Sequence, residues 1–127
     1  MSAVTEAPCF EAGPNLAMKL PERLYAATLA FYRDTLGLPV LREGSEGALV
    51  QFGALRLHLD RVPHQSQTDL WLEVRTPDSA AAARHLAAQG VAPCPEVEPL
   101  PEGFDGFWVA APSGTVHLVA GAPADRS

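Results

Sequence analysis

Apolar and polar residues alternate in several short stretches of the chain, most clearly in the segment LRLHLDR at positions 55–61. Strict alternation is typical of a β-strand with one buried and one polar face. The three leucines share the buried face, and His58 lies on the polar face. The segments 15–20 (NLAMKL) and 69–74 (DLWLEV) alternate in the same way, so we predict a strand at each.

Between the first of these strands and the segment at 55–61, the pattern becomes helical. Residues at intervals of three and four predict a helix over 23–36, and Gly37 follows as a stop signal. The recurring positions of this helix are Leu24, Thr28, Phe31 and Thr35. Strand-like pieces follow at 38–43 and 48–52, and glycines separate them from their neighbours.

The same order of elements occurs a second time. After the strand at 69–74, Asp78 or Ser79 can cap a helix that Gly90 ends. Short strands are then predicted around 92–97, 106–110 and 115–120. An internal repeat of this length indicates two similar halves. We therefore predict an α+β fold, in which two βαβββ modules form a curved, mostly antiparallel sheet with the helices on its outer face.

The repeat also predicts the domain organisation. Module one covers 14–62 and module two covers 68–121, and together they form a single domain over 14–121. We expect residues 1–13 to be a loose N-terminal arm and residues 122–127 to be a C-terminal tail. A chain of 127 residues can bury a core without a disulfide or a structural metal.

The repeat suggests why a strand presents a histidine on its polar face. In the last strand of module two, TVHLVA, Val116 and Leu118 are predicted to face the core and His117 to take the place of His58. If each apolar strand face covers its helix, the polar faces are left to line a concave surface. The four residues predicted to project into it are Asn15, His58, Asp69 and His117.

Aromatic and acidic residues add to this predicted cleft. Trp71 and Glu73 share the face of Asp69 by alternation, and Trp108 joins them if Phe107 and Val109 pack on the helix. A cleft lined by tryptophan and carboxylates suits flat or cationic ligands. Core packing is the alternative for either tryptophan. His64, in a polar linker, and His85, on the second helix, are expected at the surface.

The overall charge excludes some partners. The net charge is −6, which argues against nucleic acid and anionic membranes, since binding phosphates needs a basic patch. Hydrophobic residues make up 47% of the chain, as in ordinary globular proteins, and no apolar run reaches the length of a membrane span. Cys9 and Cys94 have no metal-ligand spacing, so we expect reduced thiols and a cytoplasmic protein.

Two passages of the chain resemble a known family. The helix-to-strand passage AFYRDTLGLPVL at 30–41 and the closing APSGTVHLVAG at 111–121 resemble the vicinal oxygen chelate superfamily. That superfamily includes glyoxalase I, bleomycin-resistance proteins, fosfomycin-resistance enzymes and extradiol dioxygenases. The closing passage departs from the usual turn of the family, of which only Pro112 and Gly114 match. The resemblance implies two βαβββ modules that form a cup-shaped sheet, and a homodimer.

The resemblance also places the metal-ligand positions of the metal-dependent branch. They fall on Asn15, His58, Asp69 and His117, and none of these has the usual residue type. Histidine stands at both glutamate positions, and Asn or Asp stands at the histidine or glutamine positions. The phrase TVHLVA is more similar to the bleomycin-resistance branch, which lacks the metal.

We interpret the protein as a binder of small molecules that sequesters an antibiotic or toxic metabolite in an acidic, Trp-lined cleft, without a cofactor. The alternative is a metal-dependent lyase, transferase or dioxygenase in which His58, Asp69 and His117, with Asn15 as a weak fourth ligand, hold Fe, Mn, Ni or Zn. Retention of the fold as a regulatory or interaction module is a third hypothesis, because a fold does not determine a function.

Overall fold

The computed structural model describes residues 8–121. The elements along these residues are β1 (Glu11–Ala12), β2 (Asn15–Leu20), α1 (Glu22–Ala30), a π-helical turn (Phe31–Thr35), β3 (Val40–Gly44), β4 (Gly47–Phe52), β5 (Leu55–Arg61), β6 (Asp69–Thr76), α2 (Ser79–Ala88), β7 (Gly106–Ala110) and β8 (Val116–Gly121). They belong to two compact units. The N-terminal unit is Pro14–Leu72, and the described part of the C-terminal unit comprises residues 8–13 and 73–121.

The N-terminal unit has the predicted order of one strand, one helix and three strands. Its strands lie in the order β3-β4-β5-β2, and the first residues of β6 pair with β2. The pairing of β2 with β5 is parallel, whereas β3–β4, β4–β5 and β2–β6 are antiparallel. The β5 strand covers 55–61 as predicted, and the predicted α+β class is confirmed.

The core of the N-terminal unit lies between α1 and the apolar face of the strands. Its buried residues are Leu20, Tyr25, Leu29, Ala48, Val50, Leu57 and Leu59. The side of α1 that faces the sheet is therefore the one with Tyr25 and Leu29. The recurring residues Leu24 and Phe31, by which the helix was predicted, lie outside this core and are 37% and 47% exposed. Spacing by three and four fits both sets of residues, so it predicts the helix without telling which of its sides is buried.

The C-terminal unit has the predicted helix, and three of the four strands predicted for module two are formed. The helix α2 begins as predicted, with the Asp78 carboxylate accepting a hydrogen bond from the Ala81 backbone N–H at 3.1 Å. The strands β7 and β8 form an antiparallel pair, and β1 pairs with the end of β6. A smaller buried cluster consists of Ala82, Val109 and Val119.

The strand predicted around 92–97 is not formed, and this prediction was wrong. The segment runs beside β7, where the backbone N–H of Cys94 donates to the carbonyl of Trp108 at 2.8 Å. Pro93 and Pro95 flank that residue and have no N–H to donate. A regular ladder of hydrogen bonds therefore cannot extend along this segment.

The N-terminal boundary of the predicted domain differs from the structure. Glu11 and Ala12 were predicted to be part of a loose arm, but they form β1 opposite Arg75 and Val74. The remainder of the predicted arm, residues 1–7, and the predicted tail at 122–127 lie outside the described residues. Neither Cys9 nor Cys94 forms a disulfide. None of the helices within residues 8–121 is long and apolar enough to cross a membrane.

Replacing Tyr25 with phenylalanine is expected to stabilise the protein. The Tyr25 side chain is buried, and its hydroxyl has no hydrogen-bond partner among the described residues. An unpaired buried hydroxyl is unfavourable, so Tyr25→Phe should raise the free energy of unfolding by about 1 kcal/mol at pH 7. Urea unfolding measures this change. Tyr32→Phe, which removes a less buried hydroxyl, is the control, and an equal effect of the two variants would contradict the prediction.

Ionisation of Tyr25 is expected to destabilise the protein in alkaline solution. Burial raises the pKa of Tyr25, although the Arg61 guanidinium, 4.3 Å from the ring centroid, acts in the opposite direction. A phenol whose pKa is higher in the folded state stabilises the fold below its ordinary pKa of about 10, and this contribution is lost as the pH rises through the folded pKa. Unfolding between pH 8 and 12 should therefore show a steeper loss in the unmodified protein than in Tyr25→Phe.

Candidate functional site

Three neighbouring strands of the N-terminal unit present polar side chains on the face opposite the α1 core. Residue Ala17 of β2 lies between His58 of β5 and Trp71 of β6. Two residues further on, Lys19 lies between Asp60 and Asp69. Side chains alternate along a strand, so these residues point away from Leu57 and Leu59, which pack on the helix side. We call this set the polar face, and its members are Asn15, Lys19, His58, Asp60, Asp69 and Trp71.

Two of the predicted site residues are held together at one end of the polar face. The Nε2 atom of His58 lies 2.9 Å from Oδ1 of Asn15. An amide oxygen can only accept a hydrogen bond, so Nε2 of His58 donates and the neutral ring leaves Nδ1 as its acceptor. The contact fixes the orientation of the imidazole. Both side chains are half-buried.

The centre of the polar face is an ion pair beside an indole ring. The Nζ atom of Lys19 lies 2.7 Å from Oδ2 of Asp60, and it also lies 4.3 Å from the ring centroid of Trp71. The indole N–H of Trp71 in turn donates to Oδ2 of Asp69 at 2.9 Å. Lys19 is only 6% exposed, which is rare for a lysine and requires that its charge be paired.

Lys19 is the functional candidate that the sequence analysis missed. It is in phase with Asn15 on β2, so the alternation of NLAMKL already assigned it to the polar face. A lysine in a predicted strand is usually solvent-exposed, and nothing local to 15–20 indicates that Asp60 and Asp69 lie on either side of it. That information comes from the pairing of β2 with two strands distant in sequence.

A cavity of about 340 Å³ adjoins the polar face and includes His58 and Asp60 in its lining. The turn between β3 and β4 supplies most of the wall, and the other lining residues are Arg42, Glu43, Gly44, Ser45, Glu46, Gly47 and Ala48. Two of its carboxylates are engaged, because Asp60 pairs with Lys19 and Glu43 lies 3.3 Å from the Arg33 guanidinium. The Glu46 carboxylate and the Arg42 guanidinium complete the charged groups of the cavity.

His117 does not face in the direction that was predicted. In its own unit it lines a second cavity together with Val109, Val119 and Leu86 of α2, so it lies on the helix side of β8. The buried residue of this strand that packs on the helix side is Val119, which is in phase with His117, and not Leu118. The prediction that His58 and His117 hold equivalent places in their modules was therefore wrong. A shift of one residue in the assumed phase exchanges the two faces of a strand.

The other predicted residues of the C-terminal unit are both buried. Trp108 is 7% exposed, its indole N–H donates to the carbonyl of Glu98 at 2.8 Å, and it lines a cavity of about 210 Å³ under the proline-rich segment. Phe107 and Val109 pack in the cluster beside α2, which is the condition under which we predicted that Trp108 faces away from the helix. Glu73 is 8% exposed, packs on the backbone of Gly13 and lies 3.5 Å from Arg75.

The ligand set suggested for a divalent metal does not fit this arrangement. Among residues 8–121, no group of three or more His, Cys, Asp or Glu side chains is placed to hold a metal ion. Within the N-terminal unit, His58 and Asp69 lie on strands separated by β2, which is two strand spacings or about 10 Å. Asn15 accepts a hydrogen bond from His58, and His117 lines a cavity of the C-terminal unit whose other lining residues are apolar.

Comparison with known proteins shows similarity of structure at low sequence identity. No protein-family model matches the chain, and no curated protein matches its sequence. The Mn(II)-bound glyoxalase from Novosphingobium aromaticivorans is 22% identical with a TM-score of 0.58, and the match covers 90% of this chain and 41% of that one. Methylmalonyl-CoA epimerase from Mycobacterium tuberculosis is 18% identical with a TM-score of 0.61, over 96% of this chain and 94% of the epimerase.

A third similar structure is a variant of homoprotocatechuate 2,3-dioxygenase from Brevibacterium fuscum. It is 19% identical with a TM-score of 0.61, and the match covers 98% of this chain but 36% of the dioxygenase. The chain therefore spans less than half the length of the glyoxalase and of the dioxygenase, and nearly all of the epimerase. At these identities the comparison establishes the fold alone.

The Lys19–Asp60 pair is expected to contribute more to stability than an exposed ion pair. Lys19→Met leaves Asp60 without this partner on a half-buried face and should lower the free energy of unfolding by about 2 kcal/mol. The control is Arg33→Met, which breaks exposed pairs to Asp34 and Glu43 and should cost less than about 1 kcal/mol. Adding Asp60→Asn to Lys19→Met should recover part of the loss. Equal costs for the two single variants in urea unfolding would contradict this account.

Proposed function

We propose that this chain, which has the fold of the vicinal oxygen chelate superfamily, is a binding protein for small molecules. The similarity to glyoxalase, epimerase and dioxygenase structures confirms the predicted resemblance at the level of the fold. The proposed site is the polar face with its adjoining cavity of about 340 Å³. The single observation that carries the proposal is that this cavity opens beside side chains already oriented by His58–Asn15 and Lys19–Asp60 contacts.

The chemistry of the cavity favours a ligand with a cationic group. Three carboxylates line it, those of Glu43, Glu46 and Asp60, against the one guanidinium of Arg42. Two of the carboxylates share their charge with a partner, whereas Glu46 lies in the β3–β4 turn, where an amine can approach it. A volume of about 340 Å³ is at the small end of ordinary ligand pockets, so the ligand is a small amphipathic amine.

Binding without metal chemistry is favoured by the donor set. Within residues 8–121 no three His, Cys, Asp or Glu side chains are grouped as metal ligands, and the Asp60 carboxylate of this face is already paired with Lys19. The metal-dependent lyase, transferase or dioxygenase of the alternative hypothesis is therefore not proposed, and no reaction step is assigned. Sequestration of an antibiotic or toxic metabolite is the role that a binder of this kind would serve. The assignment to the bleomycin-resistance-like branch stays a prediction.

The proposal is tested with two probes of the same shape and different charge. Hexylamine is cationic at neutral pH and hexanol is neutral, and both can enter a small amphipathic site. We expect hexylamine to shift the backbone amide resonances of Gly47 and Ala48, which line the cavity, and to bind at least about threefold more tightly than hexanol. Equal affinities, or no shift at these amides with either probe, would contradict the proposal.

Two matched variants test whether the Glu46 carboxylate attracts the amine. Glu46→Gln removes the carboxylate of the turn and should weaken hexylamine binding about threefold, with no change for hexanol. Glu96→Gln, on an exposed loop of the C-terminal unit, should leave both affinities unchanged. If Glu96→Gln weakens hexylamine binding as much as Glu46→Gln does, the effect comes from net charge and the cavity is not the site.

We also propose that the protein is a homodimer, as the superfamily resemblance implies. The N-terminal unit exposes several large apolar side chains, with 42–48% of each accessible, at Phe31, Leu36, Leu41 and Phe52. Exposed apolar groups of this kind often mark protein interfaces. Light scattering should give twice the chain mass of 13.5 kDa, and Phe52→Ser should shift the equilibrium towards the monomer. A mass of one chain at micromolar concentration would contradict the proposal.

A further inference from the structure

The cavity beside the polar face is lined by two opposite charges that do not pair with each other. Arg42 and Glu46 both belong to its lining. Within residues 8–121, neither the guanidinium of Arg42 nor the carboxylate of Glu46 has a hydrogen bond or an ion pair. The Asp60 and Glu43 carboxylates of the same cavity are each paired with a basic side chain. One cation and one anion therefore remain for a ligand.

The pairing of the strands places Arg42 on the same side of the sheet as His58. Arg42 of β3 lies opposite Leu49 of β4, and Leu49 lies opposite His58 of β5. Residues directly opposite each other in antiparallel strands project from the same face of a sheet. The Arg42 side chain therefore leaves the sheet on the side of the polar face, and it is exposed there.

Two glycines leave this end of the polar face open. The row of residues next to that of Arg42 runs from Gly44 through Gly47 to Asp60. Neither glycine has a side chain to cover the sheet, and a Cβ atom added at Gly44 would meet no other atom within 4 Å. The turn that joins the two glycines contains Glu46. The open space is thus bordered by the arginine on one strand and by the glutamate in the turn.

Two opposite charges that line one cavity without pairing are complementary to a ligand that has both charges. A ligand ammonium group would pair with Glu46, and a ligand carboxylate would pair with Arg42. A guanidinium binds a carboxylate through two parallel N–H groups, which makes such pairs geometrically selective. A ligand with an ammonium group alone leaves Arg42 without a partner and adds a second positive charge to the cavity. Charge complementarity therefore favours the ligand with both groups.

We infer that the ligand of this cavity is a zwitterion, a small molecule with an amine and a carboxylate, whose ammonium group pairs with Glu46 and whose carboxylate pairs with Arg42. The inference rests on the proposed function, which supplies the cavity and the cationic group of the ligand but no anionic group. Arg42 then determines specificity, because it favours an amine that also has a carboxylate over a simple amine. A cavity of about 340 Å³ has room for such a molecule.

The test compares hexylamine with 6-aminohexanoate, which has a carboxylate in place of the terminal methyl group. Both titrations are followed at pH 7 and low ionic strength by the backbone amide resonances of Gly47 and Ala48. We expect 6-aminohexanoate to bind about threefold more tightly than hexylamine, which is the effect of one further exposed ion pair. Equal affinities, or weaker binding of 6-aminohexanoate, would overturn the inference and leave the proposed amine site standing.

Replacing Arg42 should change the two affinities in opposite directions. Arg42→Gln should weaken binding of 6-aminohexanoate about threefold, and it should strengthen binding of hexylamine up to about twofold because a positive charge leaves the cavity. The control is Arg84→Gln, at an exposed position of α2 in the C-terminal unit, which changes the net charge by the same amount. It should change both affinities by less than about 1.5-fold. Equal effects of the two variants would overturn the role of Arg42.

A conservative variant separates the charge of Arg42 from its effect on folding. Arg42→Lys retains the positive charge and should bind 6-aminohexanoate more tightly than Arg42→Gln does, and the opposite order would overturn the inference. Binding of 6-aminohexanoate that depends on Arg42, without any shift by hexylamine, would support the zwitterion and contradict the proposed site for simple amines. Absence of any shift with both probes would overturn the inference and the proposed function together.

Discussion

The ion pair between Lys19 and Asp60 is the interaction on which the polar face depends. Lys19 lies on β2, which pairs with β5 on one side and with β6 on the other, so a single ammonium group contacts side chains from both neighbouring strands. Lys19 can be buried to 6% exposure because Asp60 supplies the opposite charge and the Trp71 ring presents its electron-rich face to the ammonium group. Once these positions are set, the Asn15–His58 and Trp71–Asp69 contacts follow from the same register.

The two units differ in how their helices fill the space above the sheet. In the N-terminal unit, α1 contributes Tyr25 and Leu29 to a core of seven buried residues. Two of the others, Val50 and Leu59, are 0% exposed. In the C-terminal unit, α2 presents mainly alanine, and the buried cluster has three members. A repeated order of strands and helices therefore does not imply repeated packing. The side chains on each helix decide whether a module has a filled core or retains a cavity.

Much of the fold could be predicted from alternation and helix signals, because these are local. The strand at 55–61 and the Asp78 cap of α2 were predicted correctly on that basis. The strand at 92–97 failed for a local reason too, since Pro93 and Pro95 remove donors that a ladder needs. The burial of Lys19, the one lysine of the sequence, could not be predicted, because it depends on Asp60, 41 residues away.

The direction of His117 shows the limit of an argument from a repeat. The strand β8 reads VHLVAG, so apolar residues stand next to each other and either phase places some of them inwards. In β5, leucine alternates strictly with polar residues and only one phase is acceptable. The repeat suggested that the phase of β5 holds for β8 as well, but the packing of Val119 against Ala82 and Val109 selects the other phase. As a result, one module presents its histidine among paired charges, and the other presents its histidine on the helix side, in the wall of an apolar cavity.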